Sequence, residues 1–152
     1  QELAVVALEC SAQSMRHDTE KLLATDGSAY EIATAYLRRQ RDVLKGCRMG
    51  RMTFDADVLN TPELIEPVKR TFVWLLEALT VLFERGRDQG EFAADIDARN
   101  LASLVVATVQ GGYVLARATR DTDAFDAAVE GAAALLRKAT VPLTTEVSDH
   151  SE

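Results

Sequence analysis

Residues Leu101 to Ala116, LASLVVATVQGGYVLA, carry no charged side chain, and a second alanine-rich segment, Ala124 to Lys138, follows almost at once. A helix on the surface of a monomer keeps one polar face, whereas this one is apolar on every side. Leu101, Leu104, Val105, Thr108, Gly112 and Leu115 fall on one helical stripe, and Ala102, Val106, Val109 and Tyr113 on another. The uncharged stretch is too short for a bilayer span and is interrupted by Ser103, Thr108, Gln110, Gly111 and Gly112, so no membrane partner is expected. A helix of this kind must be covered all round, in part by its own domain and in part by a second subunit. A homodimer is therefore the first expectation.

The periodicity elsewhere is also helical. Apolar residues recur at three and four, and nothing alternates with period two over a useful length. A first helix runs from Glu2 to about Ala24, with Leu8, Ala12, Met15 and Leu22 on one stripe and Leu3, Ala7, Cys10, Ser14 and His17 beside it. Asp26-Gly27 stops it. Ser28, with Glu31 three residues on, has the form of a capping box for a second helix, expected to reach Lys45 with Gly46 just past its end. Residues 47 to 60 read as one short irregular helical piece.

Thr61-Pro62-Glu63 announces the next helix, although Pro67 argues for a distorted first turn and a regular helix only from about Pro67. Asp97 and Asp123 are expected to cap the last two helices. The fold class is all-α: about six helices, the last two forming a four-helix bundle with those of a partner. Residues 1–139 form one domain, and 140–152 a polar tail.

A net charge of −7 makes the bulk surface a poor match for nucleic acid or anionic lipid. Cys10 and Cys47 are too few for a disulfide framework and read as reduced thiols of a cytoplasmic protein, with a redox role for Cys47 left open. The chain begins with Gln1, as an excised or processed piece of a longer protein would.

Catalytic constellations are missing. His17 and His150 do not follow glutamates at the Glu-x-x-His spacing of metal-binding bundles, and His17 with Glu20 reads as a surface ion pair. Paired zinc cysteines, a phosphate-binding glycine loop and a G-x-S-x-G nucleophile elbow are all absent. No metal, cofactor or enzymatic activity is expected. What remains is material for a mostly apolar ligand pocket. Its candidates are Tyr36, Cys47, Met49, Met52 and Phe54, with Phe72, Trp74, Leu76, Gln110 and Tyr113. Gln110 stands out as a polar side chain within an apolar run. Few charges lie in these segments, which favours a neutral, lipophilic ligand. Arg38-Arg39-x-Arg41 reads as a solvated helix end.

Taken in order, these pieces resemble the C-terminal, ligand-binding and dimerisation domain of TetR-family transcriptional regulators. Gln1-Glu2-Leu3-Ala4-Val5-Val6-Ala7-Leu8-Glu9 is similar to the junction that follows the family's helix-turn-helix. Gly46-Cys47-Arg48-Met49-Gly50 resembles the Gly-Cys-x-x-Gly segment of one subgroup, and Glu84 to Phe92 the helix-ending pattern E-G-x-x-x-G-E-F. Leu101 to Ala118 and Ala124 to Leu136 are similar to the family's last two helices.

The resemblance implies a homodimer seam through Leu101, Leu104, Val105, Thr108, Gly111, Gly112 and Leu115, with Phe125, Val129, Ala132 and Leu136. It implies a small-molecule effector among the second to fifth helices. Operator DNA would be bound only through a helix-turn-helix that this chain lacks, in a repressor whose DNA affinity the effector alters. A standalone dimeric helical scaffold or adaptor is the other reading, and an enzyme built on a helical bundle survives only if a metal or cofactor copurifies.

Overall fold

The computed structural model describes residues 2–142 and consists of seven helices. They are α1 (Glu2–Leu23), α2 (Ala29–Arg38), α3 (Arg48–Met52), α4 (Ala56–Asn60), α5 (Pro62–Asp88), α6 (Ala98–Thr119) and α7 (Asp123–Ala139). The tail expected from residue 140 lies, beyond residue 142, outside the described residues, as does His150.

The central layer is α5 and α6, with α7 and α2 on one side and α1 along the N-terminal half of α5. Two apolar clusters hold it. The larger joins Ile32, Leu37, Leu79, Phe83, Phe92, Val105, Phe125 and Leu136. The smaller joins Leu8 of α1 to Met49, Val58 and Val68. At 22 residues α6 is long and apolar enough to cross a membrane by length and composition, which corrects the shorter span read from its uncharged stretch. It serves here as a core helix, with Ala102, Val105, Val109 and Ala116 buried against its neighbours.

Local chemistry sets most helix starts as expected. The Glu31 amide donates to Ser28 Oγ and the Ser28 amide to the Glu31 carboxylate, a complete capping box. The Asn100 amide donates to Asp97 at 3.0 Å. At α7 the N-cap position is Thr122 rather than Asp123, without a side-chain cap bond, and the Asp123 amide donates to Asp121 at 2.9 Å.

Three expectations need correction. First, α2 ends at Arg38, not near Lys45, because the Arg41 side chain folds back over its end. It donates to the carbonyls of Leu37, Arg39 and Tyr36 at 2.8, 3.0 and 2.6 Å, which occupies the C-terminal acceptors that further helix would use. Arg41 is thus a half-buried cap over the Tyr36 and Phe125 rings, not a solvated helix end.

Second, residues 47–60 form two short helices rather than one. Asp55 between them accepts from the amides of Asp57 and Val58 and starts the second. Third, α5 runs unbroken through Pro67. The bond that Pro67 cannot make would have gone to the Glu63 carbonyl, in the exposed first turn, while its ring is buried against the α1 side.

The turn after α5 explains the Gly86-to-Phe92 motif. A β-carbon on Gly86 would lie 2.7 Å from both Ala29 Cβ and the Phe92 ring, so glycine there lets α2 and the turn close onto α5. Gly90 takes φ +77° and turns the chain back. Phe92 is then buried edge-on against Phe83 with ring centroids 5.5 Å apart. Glu91 reaches the start of α2, where the amides of Ala29 and Tyr30 donate to its carboxylate at 2.9 and 2.7 Å. A helix N-terminus leaves such donors unsatisfied and favours negative charge.

Candidate functional site

A cleft of about 540 Å³ opens between α3 and α6, a size suited to a small organic molecule. One wall is a single face of α6, where Gln110, Tyr113, Val114 and Arg117 recur at three, four and seven residues, with Gly111 beside them. That face is about 10 Å long from Gln110 to Arg117 at 1.5 Å per residue. The opposite wall is the Gly46–Phe54 segment, which contributes Cys47, Gly50, Arg51, Thr53 and Phe54, and Phe72 of α5 completes the cleft.

The α3 wall is shaped by its own turn chemistry. Gly46 has φ +75°, which lets the chain turn into α3 beneath the Arg117 side chain. Cys47 caps the helix, its Sγ accepting from the Gly50 amide at 3.3 Å. Gly50 lets the two walls approach each other, because a β-carbon there would collide with Gln110 Oε1. Half-buried Gln110 lines the cleft opposite Gly50.

Below the cleft, Tyr113 stacks at 5.0 Å on Phe125 of α7. Burial pushes the Tyr113 phenol above its ordinary range, opposed by nearby Arg41. Burial likewise raises the Tyr36 phenol, against the opposing charges of Arg39 and Arg41, and lowers the Arg41 guanidinium. Arg41 Nε is buried without a hydrogen-bond partner.

Of the ten ligand-pocket candidates, Cys47, Phe54, Phe72, Gln110 and Tyr113 meet at the cleft. The other five lie elsewhere. Tyr36 is buried beneath Arg39 and Arg41. Met49 and Met52 turn away from the cleft into the cluster shared with α1. Trp74 faces α1, with the Arg16 guanidinium 4.9 Å from its ring centroid, and Leu76 packs on the main core.

Arg51 and Arg117 line the cleft, two charges in segments where few were expected. The α6 spacing could have revealed Arg117, one turn beyond Tyr113 and Val114. Nothing local marks Arg51.

The seam candidates divide in the same way. Val105, Gly112, Phe125, Val129, Ala132 and Leu136 are buried by their own chain, which corrects their placement on an outer seam. A β-carbon on Gly112 would lie 2.7 Å from the Phe125 ring, so the close helix approach that glycine permits is between α6 and α7 of one subunit. Leu101 is half-buried against the core. Leu104, Thr108, Gly111 and Leu115 do point outward or sit at the edge, on a stripe continued by Ala107, Val114 and Ala118. On α7 the outward stripe is Ala127, Gly131, Ala134 and Leu135. Val114, Leu115 and Leu135 are more than half exposed, at 53%, 51% and 57%.

Other surface groups are ordinary. Glu20 pairs with Arg16 rather than His17, and Cys10 is exposed. Among the described residues no group of three or more His, Cys, Asp or Glu side chains is placed to hold a metal.

Residues 27–132 match the family described as tetracyclin repressor-like, C-terminal domain. The fold is similar to that of a TetR transcriptional regulator from Chloroflexus aurantiacus, with 25% identity, TM-score 0.81, and 91% of this chain covering 73% of that one. It is also similar to TetR-family regulators from Agrobacterium tumefaciens (24% identity, TM-score 0.79, 91% and 74% covered) and Cytophaga hutchinsonii (19%, 0.79, 91% and 72%). No curated protein sequence matches the chain.

Proposed function

The chain belongs to the tetracyclin repressor-like, C-terminal domain family, and from that premise we propose that it is the effector-binding and dimerisation part of a transcriptional repressor. A small molecule in the α3–α6 cleft alters operator affinity. DNA contact falls to a helix-turn-helix outside residues 1–152, and the protein works in the cytoplasm. The Gly46-to-Gly50 segment supports assigning it to the Gly-Cys-x-x-Gly subgroup.

The observation that carries this reading is the position of α3. One side of this short helix offers Gly50 and Arg51 to the cleft, and the other sends Met49 into the cluster with Leu8 of α1. Arg48 adds a second link, donating to Ser11 Oγ of α1 at 2.7 Å. A molecule that pushes α3 away from Gln110 therefore presses on α1, the first helix of the described fold. A coupling of about 1–3 kcal/mol through such a link changes DNA affinity by a useful factor.

The outward stripes of α6 and α7 support dimerisation. Their small side chains, Ala107, Ala127, Gly131 and Ala134, let helices of a second copy approach closely, and Leu115 and Leu135 supply apolar area. A two-fold arrangement of α6 and α7 from two subunits makes a four-helix bundle by self-complementarity.

Thermal unfolding against a small-molecule library tests the effector claim. A ligand at about a hundredfold excess over its Kd adds about 2.7 kcal/mol of stability. Hits are expected to stabilise the native sequence and to lose that effect in Thr53→Trp, whose ring narrows the cleft. A library without hits, or hits indifferent to Thr53→Trp, contradicts the reading and favours the helical scaffold.

A further inference from the structure

We propose that the cleft takes an organic carboxylate with an apolar body, its acid group held by Arg117 at the Gly46 end while Arg51 on the opposite wall adds positive charge. This rests on the cleft being the effector site and adds the chemical class of the effector.

The chain carries 24 acidic and 17 basic residues, yet this cleft is lined by two arginines and no aspartate or glutamate. Among the described residues neither guanidinium is paired with a carboxylate, so both are free to meet an anionic ligand. Arg117 also has a defined seat. A β-carbon on Gly46 would touch its Cδ and a terminal nitrogen at 3.8 and 3.7 Å, so its stem lies across the Gly46 turn at one end of the α6 wall.

A guanidinium presents a planar fork of donors that matches a carboxylate in two parallel hydrogen bonds. The remaining walls, Phe54, Phe72, Tyr113 and Val114, offer rings and aliphatic carbon to an apolar body. Gln110, about 10 Å along α6 from Arg117, is left to hydrogen-bond a polar group at the far end. A cation gains nothing in such a cleft, and a neutral molecule leaves both arginines unused.

The test is calorimetric titration of the full chain with 2-naphthoate and with 2-naphthamide, which share a ring system and differ in charge. Naphthoate is expected to bind at least tenfold more tightly. That preference should shrink when salt is raised from about 0.05 to about 0.5 M, because the arginines are exposed. Arg117→Gln and Arg51→Gln should each weaken naphthoate at least threefold, leave naphthamide within twofold, and leave the unfolding midpoint unchanged. Equal affinity for the two compounds, or a preference that survives in the double glutamine variant, overturns the carboxylate assignment and leaves the cleft as an effector site. Failure of both compounds to bind overturns the assignment and the effector reading together.

Discussion

Gln110 and Gly50 touch across the cleft, where a β-carbon on Gly50 would collide with the Gln110 side-chain oxygen. The atom in the way ends a flexible side chain, so Gly50→Ala can be accommodated by turning Gln110 into the cleft. Helix propensity favours alanine by about 1 kcal/mol and offsets part of the strain. Stability should stay within about 1 kcal/mol of the native protein by urea unfolding, while affinity for any cleft ligand falls by about tenfold, or ~1.4 kcal/mol. Unchanged affinity would show that ligands do not occupy the space beside Gln110.

Gly111 and Gly112 are neighbours with opposite surroundings. An added β-carbon on Gly111 meets nothing within 4 Å, whereas one on Gly112 strikes the Phe125 ring. Gly112→Ala should therefore destabilise by about 1–3 kcal/mol through overpacking between α6 and α7. Gly111→Ala should be neutral or stabilising by up to about 1 kcal/mol in the monomer. Equal effects in chemical denaturation would contradict the packing described.

Glu91 holds the start of α2 from 61 and 62 residues away in sequence. Glu91→Ala removes both hydrogen bonds and should cost about 1–2 kcal/mol, in the range of a lost helix cap. Hydrogen exchange should rise first in the opening turn of α2. A uniform rise over the whole chain would mean that the carboxylate supports global packing rather than this helix end.

Tyr36 gives the fold an alkaline limit. Burial raises its phenol above the ordinary value near 10, against the opposing charges of Arg39 and Arg41. The folded state thus holds the proton more tightly than the unfolded one. The stability this contributes is complete below about pH 10 and is lost as pH climbs through the folded value. Urea midpoints between about pH 8 and 11 should fall less steeply for Tyr36→Phe than for the native chain. Parallel profiles would remove the tyrosine from the account.

The sequence was legible where structure is local. The Ser28–Glu31 capping box and the Asp97 cap depend on residues within one turn of each other. The early end of α2 was not, because it depends on Arg41 returning from outside the helix to take its carbonyls. Half of the cleft was legible, since Gln110, Tyr113 and Cys47 are unusual for their surroundings. Met49 and Trp74 were misplaced because an apolar residue on a helix can serve a core or a pocket with the same periodicity. The outer face of α7 was hidden for a related reason: alanine and glycine occur on both its sides, and only the larger Phe125, Val129 and Leu136 choose the interior.

The outward stripes of α6 and α7 carry the claim on which the regulatory reading depends, that two subunits join through them. Sedimentation equilibrium at about 20 μM should report twice the chain mass of 16.6 kDa for the native protein. Leu135→Glu, which places a charge on an exposed site, should return it to 16.6 kDa with its helix content intact. A native protein that sediments at 16.6 kDa under those conditions would contradict the account.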